Sequence, residues 1–159
     1  MSQIKAKRRP TRVNLEAYNK VLDLSEYTMS ACKPKQKKNS DGSVSDDNHH
    51  VPMRYKFMGD DITRLVCEAG GLILEANEIY VAKNIQVEVR IRHYHRRIEL
   101  QERAIGHLFR VEHMVNMLQM HRPFAESTIR YWTGLIVTAR AAVIAWCNGD
   151  KESLRGCSL

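Results

Sequence analysis

Five of the seven histidines, His93, His95, His107, His113 and His121, fall in one stretch that reads as a single long helix, so metal ligation is the first chemistry to weigh. Helix-borne side chains that share a metal stand three or four residues apart, and no two of these histidines are so spaced. Glu112 adjoins His113 directly, and the Glu-x-x-His pattern of di-iron helical proteins is missing. Cys32, Cys67, Cys147 and Cys157 are scattered, with no CxxC pair, and read as reduced, mostly buried thiols. No local signature surrounds a serine or cysteine nucleophile, and the glycines form neither GxGxxG nor a P-loop. The expectation is a protein with no catalytic residue, no metal site and no cofactor.

Cations carry more information. The chain has a formal net charge of +7 and a pI near 9.4, a field that draws nucleic acid or acidic protein surfaces. Lys5, Lys7, Arg8, Arg9 and Arg12 form a basic arm with no compensating acid, suited to following a phosphate backbone or simply to solubilising the chain. A second group, Arg90, Arg92, His93, His95, Arg96, Arg97 and Arg103, decorates the first half of the histidine-bearing helix. Arg92, Arg96 and Arg103 share one row beside its apolar stripe, and Arg90, His93 and Arg97 share another. Arginine suits bidentate contact with phosphate or carboxylate. Glu88, Glu99 and Glu102 neutralise part of the group, so a solvated, salt-bridged face competes with a binding surface.

The elements that must position these cations are helical. Pro10, Pro34, Pro52 and Pro123 punctuate the chain, and between them the apolar spacing follows steps of three and four. The first helix is predicted from about Asn14, its cap, to Cys32, with Leu15, Tyr18, Leu22, Ser25, Met29 and Cys32 along one stripe. Residues 33–52 are polar and turn-rich and predict a mobile loop, either an insertion or a segment that orders against a partner. The second helix is predicted over about Phe57 to Ala82, with Ile62, Leu65, Val66, Ala69, Leu72, Ile73, Ala76, Ile79 and Tyr80 inward. Gly70 and Gly71 in its middle imply either a close helix–helix approach or a local weak point.

The third helix, about Val87 to Met120, turns Val87, Ile91, Tyr94, Ile98, Ile105, Leu108, Val111, Val115 and Leu118 inward. Gln101 interrupts that stripe, as a buried hydrogen-bonding residue or as one at the stripe's edge. The fourth, about Ala125 to Asn148, aligns Ile129, Trp132, Ile136, Ala139, Val143 and Trp146, with Gly149 placed to stop it. The short connections favour antiparallel neighbours. The predicted fold is therefore all-α, an antiparallel up-down four-helix bundle over 13–149, preceded by a flexible basic arm at 1–12 and followed by a short tail at 150–159.

The ordered segments Glu26-Tyr-Thr-Met-Ser-Ala-Cys32, Met53-Arg-Tyr-Lys-Phe57, Glu75-Ala-Asn-Glu-Ile-Tyr80, Arg97-Ile-Glu-Leu-Gln-Glu-Arg-Ala-Ile105 and Tyr131-Trp-Thr-Gly-Leu-Ile136, with the closing Ala145-Trp146, resemble the accessory variability determinants of diversity-generating retroelements. They are similar also to the four-helix-bundle proteins encoded in ribosomal RNA intervening sequences. The resemblance spans nearly the whole chain. It implies a non-catalytic basic homopentamer that binds a retroelement reverse transcriptase together with RNA and supports mutagenic copying of a template repeat. Carried over residue by residue, it yields only a basic surface: the arm, Arg54 and Lys56 at the start of helix two, and the Arg90 to Arg103 group. Tyr131, Trp132 and Trp146 read as packing residues rather than base-stacking ones.

Two other classes stay open, a structural oligomer or protein-interaction module and a DNA-binding accessory factor of a mobile element. No apolar run approaches membrane-spanning length, and no signal-peptide h-region opens the chain, so a cytoplasmic protein is expected.

Overall fold

The computed structural model describes residues 15–157. Its elements are α1 (Leu15–Ala31), a small hairpin of β1 (Gln36–Lys38) and β2 (Val44–Asp46), a 3₁₀ turn at Met53–Tyr55, α2 (Lys56–Glu78), α3 (Val87–His121) and α4 (Glu126–Gly156). The four helices pack against one another, α1 on α2 and α4, and α3 on α2 and α4. Asn14, the expected cap, lies outside the described residues.

The buried face of α2 is the one its periodicity predicts, with Ile62, Leu65, Val66, Ala69, Leu72, Ile73 and Ala76 all in the core. That of α1 is not. Ala17, Val21, Leu24, Thr28, Ala31 and Cys32 are buried, whereas Met29 is exposed and Leu22 and Ser25 are half-buried. The observed stripe is rotated by about one residue, roughly 100° of helix, because small and β-branched residues let α1 approach its neighbours. At its centre Trp132 is fully buried, donates Nε1–H to Thr28 Oγ1 at 3.1 Å, and meets Tyr27 and Phe124 edge to face. The close approach expected of Gly70 and Gly71 falls on Gly59 instead, where a Cβ would stand 3.2 Å from Cys32 Cβ and 3.3 Å from its carbonyl.

Three boundaries differ from the sequence expectation. α2 ends at Glu78, leaving Ile79 half-buried and Tyr80 exposed in the connection. The segment expected as an irregular loop holds the antiparallel hairpin, with Gln36 opposite Asp46, Lys37 opposite Ser45 and Lys38 opposite Val44. Its turn takes φ +83° at Gly42, a left-handed conformation that glycine adopts without a Cβ penalty. Asp41 accepts hydrogen bonds there from the Ser43 backbone N–H and hydroxyl. The third difference is in α4, which passes through Gly149 to Gly156, so the expected tail is mostly helix. Nothing packs within 4 Å of a Cβ at Gly149, and the turns beyond it are held by side chains on α3.

Candidate nucleic-acid interface

Lys5, Lys7, Arg8, Arg9 and Arg12 lie outside the described residues. Arg54 is exposed in the 3₁₀ turn, its guanidinium 5.0 Å from the Tyr55 ring centroid. Lys56 opens α2 and pairs with Asp60 at 2.7 Å, one helical turn on. These two cations therefore sit where the chain enters α2.

The α3 group divides. Arg92 and Arg103 are exposed and make no ion pair within 4.0 Å among the described residues. Arg96 is exposed too but bridges Glu75 of α2 and Glu99 of its own helix, each at 3.0 Å, which raises its pKa further. Exposed pairs of this kind contribute at most about 1 kcal/mol and are screened by salt, so Arg96 can exchange them for a phosphate. Arg90 is half-buried and donates to the Lys83 carbonyl at 3.1 Å.

Arg97 leaves the surface altogether. Only 7% exposed, it pairs with Asp150 at 3.0 Å and lies over the Trp146 ring, 5.3 Å from its centroid. Gln101, fully buried beside it, donates Nε2–H to Asp150 at 2.6 Å, so its break in the apolar stripe marks an internal hydrogen bond. Burial pushes the Asp150 carboxyl above its ordinary value, with Arg97 and Gln101 holding it partly back. Sequence spacing could not reveal this, because the partner carboxylate lies in a segment that reads as a polar tail.

Arg110 belongs with Arg92 and Arg103 and was not among the expected residues. It is exposed, unpaired among the described residues, and one heptad beyond Arg103. That spacing is legible in the sequence, but the arginine falls outside the dense run at 90–103.

The remaining chemistry-bearing side chains serve packing and pairing. His107 Nε2 meets Glu68 at 3.0 Å, and His93 Nδ1 faces the Tyr80 carbonyl. No group of three or more histidine, cysteine, aspartate or glutamate residues among the described ones is placed to hold a metal ion. All four cysteines are free: Cys32 and Cys147 are buried, Cys157 is half-buried and Cys67 is exposed. Burial pushes the Cys32 thiol up to about 12. Trp132 and Trp146 are packing residues, while Tyr131 is exposed with its edge on Tyr27, 4.8 Å between centroids. No described helix is long and apolar enough to cross a membrane.

The chain matches no family model, no curated protein and no solved structure.

Proposed function

We propose that this chain is a non-catalytic, cytoplasmic accessory protein of a diversity-generating retroelement. In this reading it binds RNA and the element's reverse transcriptase and supports mutagenic reverse transcription. Its resemblance in sequence motifs suggests the role, and the observation that carries the RNA part is the exposed row of Arg92, Arg103 and Arg110, with no internal partner among the described residues. The fold we propose is an up-down antiparallel bundle. Pairings of Glu75 with Arg96 and Glu68 with His107 support antiparallel α2 and α3, and those of Glu112 with Arg140 and Glu102 with Lys151 support antiparallel α3 and α4.

The test is RNA binding followed against salt. Each phosphate neutralised on a single strand contributes a log–log slope of about −0.7, so replacing Arg92, Arg103 and Arg110 by glutamine flattens the slope by about 2 while helix content stays intact. Unchanged affinity and slope would remove RNA from this face. Capture of the reverse transcriptase by the wild-type chain, and not by the variant, would then assign it to protein docking.

A second reading, a structural oligomer or interaction module, is favoured by exposed apolar side chains on the two longest helices. Phe109, Met117 and Met120 of α3 and Val137 of α4 are all exposed. Self-association is common to both readings, and a homopentamer is the form that the resemblance proposes.

A further inference from the structure

The lysines of the hairpin do not belong to the surface just described. Lys33, Lys35, Lys37 and Lys38 fall within six residues, and all four are exposed. Among the described residues none makes an ion pair within 4.0 Å; Lys35 acts on Asp47 only at longer range. Nearby acids are engaged in holding the hairpin: Asp41 accepts from Ser43, and Asp47 accepts from the His49 N–H at 2.8 Å. Asp46 sits on the returning strand opposite Gln36, not opposite a lysine.

The hairpin is fixed to the helices rather than hung from them. Val51 N–H donates to the Ala31 carbonyl at 2.8 Å and Ala125 N–H to the Asn48 carbonyl at 3.0 Å, while His50 Nδ1 lies 3.0 Å from the Ser30 carbonyl. Lysines mounted this way present charge from an ordered platform, and less conformational entropy is lost when they meet a ligand. Cys32, which precedes Lys33, packs on Gly59, so the start of α2 stands beside the hairpin's root. There Phe57 is 65% exposed, Met53 61% exposed, and Arg54 covers the Tyr55 ring. Cations that track a backbone, beside an aromatic ring open to solvent, are the two components of single-strand recognition.

We propose that this end of the molecule is a second, single-stranded RNA surface, with Lys33, Lys35, Lys37, Lys38 and Arg54 on phosphates and the Phe57 ring stacked on a base. The proposal rests on the RNA-binding reading above and extends it to a separate site. Tyr55 lies 6.3 Å from the His121 ring at the far end of α3, and Arg92 is 29 residues, roughly 44 Å of helix, before His121. One strand spanning both surfaces would run most of the length of α3. An acidic peptide could use the lysines but has no need of the open ring, which is why nucleic acid is the partner inferred.

The experiment uses the full chain and a labelled oligouridylate of about 20 nucleotides, with a duplex RNA, an oligodeoxythymidylate and polyglutamate as comparators. Replacing the four lysines by glutamine is expected to weaken oligouridylate binding at least about tenfold at low salt and to reduce the salt slope by about 2 to 3. Phe57→Ala is expected to weaken it about tenfold with the slope unchanged, since stacking releases no counterions. Circular dichroism and the melting temperature check that both variants fold.

If both variants bind as the wild type does while the Arg92, Arg103 and Arg110 glutamine variant fails, the second surface is wrong and the α3 reading stands. If the wild type binds no RNA at all, both fall. Loss of polyglutamate binding with RNA binding intact would assign the hairpin to an acidic protein. Equal affinity for duplex, indifferent to Phe57, or binding of the DNA strand alone, would also overturn it.

Discussion

Arg97 and Asp150 form a buried ion pair whose cost of desolvation is offset only while both partners are present. Asp150→Ala is expected to destabilise the protein by about 3 to 5 kcal/mol, because it strands a guanidinium in the interior and removes the acceptor of Gln101. The double variant Arg97→Met with Asp150→Leu is expected to recover most of that loss, as apolar side chains of similar bulk replace the pair. Denaturant melts of the single and double variants check the prediction, and a double variant no better than Asp150→Ala would show that packing, not charge, governs the site.

At the scale of elements, the two glycines that matter most are Gly59 and Gly149, and they should behave in opposite ways. Gly149 lies inside α4 with open space where an alanine methyl would stand, so Gly149→Ala is expected to stabilise by about 0.5 to 1 kcal/mol through helix propensity. Gly59 lies against Cys32, so Gly59→Ala is expected to cost about 1 to 3 kcal/mol by overpacking. Chemical denaturation of the two variants reads both signs. A chain shortened to end at Asn148 tests the extension of α4. It removes Asp150 and Leu154, which packs with Tyr94 and Ile98, and is expected to lose at least as much stability as Asp150→Ala. If the last residues were a dispensable tail, the shortened chain would melt at the wild-type midpoint.

For the whole molecule, the exposed Phe109, Met117, Met120 and Val137 predict self-association, since apolar area removed from water contributes about 25 cal/mol per Å². Light scattering at micromolar concentration is expected to give a mass above the 18.4 kDa of one chain. A mass equal to one chain would overturn association, and a multiple other than five would remove the pentamer alone. Phe109→Ser with Met117→Ser is expected to shift the distribution towards one chain without loss of helix content, because both side chains lie outside the core.

The sequence by itself determined the number and kind of the long elements and the inward face of α2, because steps of three and four between apolar residues report helix directly. It determined the phase of α1 poorly: apolar residues occur on both sides of that helix, and only Trp132 bonding to Thr28 settles which side turns inward. Arg92, Arg96 and Arg103 were legible as an exposed basic row, whereas Arg97 was indistinguishable from them until Asp150 was brought to it across more than fifty residues. The hairpin, the course of α4 through Gly149 and the tight contact at Gly59 were decided by tertiary structure alone. Each depends on a partner distant in sequence, a hydrogen bond from Ala125 to Asn48, a buried carboxylate on Arg97 or a cysteine against a glycine, and local periodicity carries no trace of such partners.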